Sequence, residues 1–97
     1  MGRPLSVYVV EDSAVQLEIA RALLEKAGHT VVTNRSSVDA LRDIPAKRPD
    51  CVLIDIMMPQ LDGYELCRRL RSMEQLAATR LVMMSTKAYP FDRKRAL

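Results

Sequence analysis

Val52-Leu-Ile-Asp-Ile-Met-Met-Pro-Gln-Leu-Asp-Gly63 is the stretch that decides the fold. Residues 51–54 form a short apolar run without polar alternation, the pattern of a strand buried on both faces. The run stops on an acid, Asp55. The loop after it carries Pro59, which rigidifies it, and Gly63, which permits a backbone turn that other residues resist. A helical period then sets in, with Leu66, Leu70 and Met73 on its inner side. Strand, acidic strand end, loop and helix make up half of a βαβ unit, and ligands of such units gather at the carboxyl ends of strands.

The same grammar holds on both sides of this stretch. Ser6–Val10 is a β-branched run that ends in Glu11 and Asp12. From Ser13 the spacing becomes helical, with Val15, Ile19, Ala22 and Leu23 on one face, Gly28 as a C-terminal stop and His29 as an exposed turn residue. Residues 30–33 read as a second strand. Asn34 to Ser37 supply capping chemistry for a helix through Val38, Leu41 and Ile44 that Pro45 and Pro49 bring to an end. Residues 81–84 are a fourth strand that runs into Ser85 and Thr86, and a last helix starts around Pro90 to Asp92. Alternating strands and helices predict an α/β fold, a doubly wound parallel sheet. With the flavodoxin-like order 2-1-3-4, strands one, three and four are neighbours, so Glu11, Asp12, Asp55, Ser85 and Thr86 converge at one edge. Three carboxylates gathered there repel each other, and a bound divalent cation relieves them. Oxygen-only ligands beside a phosphate suit magnesium. The competing reading of Glu11 and Asp12 is an acid cluster stabilised by a helix N-terminus.

Composition narrows the classes. A chain of 97 residues, 48% of them apolar, is one small domain with little stability to spare. It contains no apolar run of membrane-spanning length and opens without a secretory-type stretch, which predicts a soluble, cytoplasmic protein. Cys51 and Cys67 have no metal-ligand spacing and read as buried thiols. Met57, Met58, Met83 and Met84 read as packing material. The net charge of +3 is concentrated late: Arg80, Lys87, Arg93, Lys94 and Arg95 stand against Asp92 alone, and the rest of the chain sums to −1. A solvated helix face accounts for that distribution better than nucleic-acid binding.

Val9-Val-Glu-Asp12, the stretch from Val52 to Gly63, and Leu81-Val-Met-Met-Ser-Thr86, taken in order and at these intervals, resemble the response-regulator receiver domains of two-component signalling. The resemblance covers nearly the whole chain from about Ser6. It implies a CheY-like receiver domain over residues 1–97 in which Asp55 is the phosphoacceptor. Glu11 and Asp12 are then the metal acids and the main-chain carbonyl of Met57 a further ligand to Mg2+, with Mn2+ able to substitute. Ser85 matches the switch hydroxyl, and the Thr86 amide holds a phosphoryl oxygen. The implied partner is a sensor histidine kinase or a histidine phosphotransfer protein. Such a domain is no enzyme in its own right, although it assists its own phosphorylation and dephosphorylation. The family's fifth strand and helix, and the lysine after that strand, have no counterpart here, so the domain reads as C-terminally incomplete. The fourth strand then becomes an edge, which invites a homodimer or a swapped dimer. Intact Glu11, Asp12, Asp55 and Ser85 favour a phosphorylated signalling domain. The missing lysine favours a receiver-like interaction or dimerisation module that no longer switches. An aspartate-nucleophile phosphatase needs a second acid where Met57 stands, and no Walker-type glycine loop is present.

Overall fold

The computed structural model describes residues 2–85; Thr86, Lys87 and the helix read from Pro90 onward lie outside the described residues. The elements are β1 Ser6–Val10, α1 Ala14–Lys26, β2 Thr30–Asn34, α2 Ser37–Lys47, β3 Cys51–Asp55, α3 Gly63–Arg71, a 3-10 turn Glu74–Leu76 and β4 Arg80–Met84. The strands form one parallel sheet in the order β2-β1-β3-β4, the doubly wound topology read from the sequence. The winding reverses between β1 and β3, which leaves α1 on one face and α2 with α3 on the other.

The alternation of side chains along a strand feeds both faces. Tyr8, Val10, Val52 and Ile54 point toward α2 and α3, where Ala40, Ile44, Leu66 and Leu70 close a core in which every one of these residues is essentially inaccessible. Val7 and Val9 point the other way and meet Leu17 of α1, with Ala20 and Leu24 packed alongside. The apolar stripe read from the periodicity of α1 therefore faces outward: Val15, Ile19 and Leu23 are 67%, 49% and 65% exposed, and Ala22 is exposed with them. The helix is apolar over so much of its circumference that period alone does not say which side meets the sheet.

Helix ends follow local chemistry. Ser13 caps α1 by accepting from the Gln16 amide, and Ser36 caps α2 by accepting from Asp39. At the far end of α1 the His29 amide bonds Leu24 and the Gly28 amide bonds Glu25, with Gly28 at φ +97. This is the Schellman closure that a glycine permits. His29, read as an exposed turn residue, is half-buried, and its Nδ1 accepts the Leu5 amide at 3.0 Å, tying the chain before β1 to the turn before β2. Pro45 does not stop α2, which continues to Lys47. The proline stands in the last turn, where it removes one bond, and Arg48 closes the helix in the left-handed region with its amide on Ile44. The entries of the strands are braced as well: the Ser6 amide donates to Asp50 Oδ2 at 2.8 Å, and the Thr79 hydroxyl to the Pro49 carbonyl at 2.8 Å.

A polar network crosses the main core. The Tyr8 hydroxyl, buried at the centre of the sheet, donates to Asp43 Oδ2 at 2.7 Å and accepts from Asn34 Nδ2 at 3.1 Å. Burial pushes the phenol above its ordinary range. The same bond, followed by Lys47, holds the Asp43 carboxyl below the usual aspartate value. Removing the hydroxyl in Tyr8→Phe is expected to cost about 1 kcal/mol in denaturant melts near neutral pH. Because the folded pKa of Asp43 is depressed, its contribution is present above the unfolded value and is lost as pH falls through the folded one. The gap between wild type and Tyr8→Phe should therefore narrow in acid; a gap that stays constant down to pH 2 would show that Asp43 is not the coupled group.

Candidate functional site

Two strand ends and the loops after them build the site. Past Val10 the β1 ladder runs one bond further, from the Glu11 amide to the Asn34 carbonyl at 3.1 Å. Past Asp55 the β3 ladder does the same, from the Ile56 amide to the Met84 carbonyl at 2.9 Å. The acids thus sit on backbone that is still held by the sheet. Glu11 is 1% exposed and Asp55 fully buried, while Asp12 is half-buried. One carboxylate oxygen from each of Glu11, Asp12 and Asp55 lies within 4.8 Å of the others. Main-chain donors orient two of these groups: Glu11 Oε2 accepts the Ser13 amide at 2.8 Å, and Asp55 Oδ1 accepts the Met57 amide at 3.3 Å. Three hard oxygen donors in reach of one point, two of them buried, match a small divalent cation of the magnesium kind and not a soft metal.

A cleft of about 550 Å3 opens beside the acids, walled by Ile56, Met57, Met58, Pro59 and Tyr64, with Asp12 and Asp62 at its polar margins. Met58 is buried, but Met57 is 59% exposed and lines this cleft instead of packing the core. Met83 and Met84 do pack, one into each face of the sheet.

A family model for the response regulator receiver domain matches residues 7–97. The chain belongs to the receiver domain family. PilG of Pseudomonas aeruginosa is 37% identical over 89 residues, a match that takes in 92% of this chain and 66% of PilG. Response regulator MprA of a Mycobacterium species is 44% identical over 69 residues, 71% of this chain but only 30% of that protein. Among solved structures, the receiver domain of sensor histidine kinase PA1611 from Pseudomonas aeruginosa superimposes with a TM-score of 0.81 at 27% identity, covering 95% of this chain and 75% of that one. That structure holds a magnesium ion coordinated in its active-site cleft. The N-terminal receiver of a response regulator from Methanoculleus marisnigri gives a TM-score of 0.79 at 28% identity, again over 75% of its length. This receiver chain therefore spans about two thirds or less of the curated relatives and three quarters of the solved domains.

The structure brings Glu11, Asp12 and Asp55 together, as expected from the strand order that makes β1 and β3 neighbours. Ser85 directly follows Met84, whose partner across the ladder is Asp55, and it is exposed. Thr86 falls outside the described residues. Gly63 has a role the loop reading only touched. A Cβ there would lie 2.3 Å from the Asp55 main-chain oxygen and 2.9 Å from Ile56 Cα, so the start of α3 seats directly on the backbone that carries Asp55. The Gly63 amide bonds the Ile56 carbonyl at 3.1 Å, and Asp62 caps the helix. Two residues of the stretch read only as capping chemistry also reach the loops of the site: Arg35, whose Nε donates to the Asp12 carbonyl at 2.9 Å, and Ser37, whose hydroxyl donates to the Pro59 carbonyl at 3.4 Å. Gly63→Ala is expected to destabilise this receiver by about 1 to 3 kcal/mol in chemical melts and to move the Asp55 and Ile56 amide resonances. An alanine variant as stable as wild type, with those resonances unmoved, would mean that the seat is not tight.

Proposed function

We propose that this receiver domain takes a phosphoryl group on Asp55 from a phosphohistidine of a sensor kinase or histidine phosphotransfer protein, with Mg2+ held by Glu11, Asp12, Asp55 and the Met57 carbonyl. Manganese would substitute. The observation that carries the reading is the convergence of three carboxylates within 4.8 Å, two of them buried. Burial of like charges this close is costly unless a cation or a proton offsets it.

Each residue then has a task. The Met57 amide fixes one oxygen of Asp55, which orients the carboxylate for in-line attack. The Asp55 oxygen–phosphorus bond forms as the nitrogen–phosphorus bond of the donor breaks, and the electron pair of that bond returns to the imidazole nitrogen. When bound, the cation spreads the charge on the transferring oxygens. The product carries two negative charges and three strong acceptors, for which Ser85 and the Thr86 amide are the assigned donors. The domain assists its own phosphorylation and dephosphorylation but turns over no separate substrate. Donors of this kind place it in the cytoplasm, and among the described residues no helix is long and apolar enough to cross a membrane.

Intact mass after incubation with Mg2+ and acetyl phosphate tests the assignment: one base-labile phosphate on wild type and none on Asp55→Asn. Phosphate on the variant would move the nucleophile elsewhere, and an unlabelled wild type would favour a module that binds without switching. Magnesium titration followed by the amide shifts of residues 11, 12 and 55 reads the metal site separately, and shifts confined to other residues would remove it.

A second surface belongs to the same reading. Among the described residues β4 pairs only with β3, and Val82 on it is 43% exposed. Two β4 strands paired antiparallel about Val82 would set each Arg80 opposite Met84 of the other copy, so like charges stay apart. Wild type should self-associate in sedimentation across a concentration series, either by this pairing or by exchange of elements, and Val82→Lys should be monomeric. A wild type that remains monomeric throughout would rule this edge out as an interface.

A further inference from the structure

The turn between β2 and α2 is sewn to both sides of the acid site. The Asn34 carbonyl accepts the Glu11 amide at 3.1 Å, and the Ser37 hydroxyl donates to the Pro59 carbonyl at 3.4 Å. Asn34 is itself fixed: its Oδ1 accepts the Ser36 amide at 2.9 Å, and its Nδ2 donates to Tyr8. From this rigid turn Arg35 reaches across 23 positions of sequence to place Nε 2.9 Å from the Asp12 carbonyl oxygen. Arg35 is exposed, so packing does not order it. A guanidinium has five N–H donors in a rigid fork, and this bond uses one. Among the described residues no hydrogen bond or ion pair engages the other four.

We propose that Arg35 is a positioning residue for phosphoryl transfer at Asp55, its cation tethered to the Asp12 turn as an electrostatic counterweight to the acid cluster. The inference rests on the phosphoacceptor reading. An incoming phosphoryl donor is an anion that meets three carboxylates, whereas the metal ion is a cation that the same carboxylates attract. A positive charge held at the Asp12 main chain acts on the two with opposite sign. It favours entry of the anionic donor and weakens binding of the cation. The tether matters because an untethered arginine on an exposed turn would spend its time in solvent, where screening removes its effect.

The opposed signs separate this role from a structural one. In Arg35→Gln at about 0.01 M salt, Mg2+ should bind about two- to fivefold more tightly while acetyl phosphate labels Asp55 about two- to fivefold more slowly. Both differences should collapse at about 1 M salt, where the screening length falls to about 3 Å. Arg35→Lys, which keeps the charge, should lie close to wild type in both measurements. Magnesium affinity is read by amide shifts and labelling by intact mass, so the metal arm does not depend on phosphorylation. If Arg35→Gln weakens both processes at every salt concentration and lysine does not restore them, the residue merely holds the loop and the proposal is wrong. Equal behaviour of Arg35→Gln and wild type at low salt would also overturn it. A wild type that binds no Mg2+ or takes no phosphate would overturn the phosphoacceptor reading itself, and this inference with it.

Discussion

Mutual repulsion among Glu11, Asp12 and Asp55 is the constraint that organises the rest of the molecule. Carboxylates in water separate or protonate when crowded, and here they are held with oxygens within 4.8 Å of one another while two are shut away from solvent. Such an arrangement persists only if the backbone beneath it cannot yield. The sheet supplies that backbone: both strand ends continue their ladders one bond beyond the last regular residue, Glu11 to Asn34 and Ile56 to Met84. Main-chain amides then face the carboxylates, Ser13 toward Glu11 and Met57 toward Asp55. Interactions of this kind stabilise a charged oxygen with no need for a second mobile side chain.

The core serves the same end from below. Tyr8, Val10, Val52 and Ile54 stand directly beneath the acidic ends of β1 and β3, packed by Ile44, Leu66 and Leu70. Gly63 lets the start of α3 seat against the main chain of Asp55. At the opposite end of the sheet, Asp50 and Thr79 tie the strand entries together, and Arg71 reaches the Thr79 carbonyl at 2.7 Å. One end of the sheet is closed by short polar bonds, the Thr79–Pro49 bond among them buried. The other gathers three carboxylates, two of them buried.

Sequence alone revealed the parts of this design that local pattern records. Asp55, Glu11 and Asp12 were legible as converging acids because they end apolar runs that the parallel order makes neighbours; an acid pair after a strand is common, and only the motifs in order single these out. The α/β alternation gave a parallel sheet, and the flavodoxin-like topology supplied its strand order. What stayed hidden was settled by contacts between distant residues. Arg35 and Asp12 lie 23 positions apart, Tyr8 and Asp43 lie 35 apart, and nothing near either member announces the other. The outward stripe of α1 was visible as a stripe and unreadable as outward, since Leu17, Ala20 and Leu24 offer the sheet an apolar face at the same period. His29 looked like turn chemistry because it follows Gly28, yet its ring nitrogen is the acceptor that anchors Leu5. Pro45 was over-read: a proline in the last turn of a helix removes one bond, and the Arg48 cap supplies a later end.

Under the proposed reading, the position of β4 explains how a charge change at Asp55 would be felt elsewhere. Met84 is the ladder partner of Asp55, and Ser85, the next residue, leaves the sheet at the same level as the acids. The two methionines before it face opposite ways, Met83 into the core shared with α3 and Met84 toward the face of α1. An inward pull on Ser85 by a phosphorylated Asp55 therefore strains both layers through one strand. β4 stands at one end of the described strand order, next to the strand that carries Asp55. Coupling of a charge change at Asp55 to Ser85 needs no long path in this fold, because Asp55 and Met84 are ladder partners on neighbouring hydrogen-bonded strands.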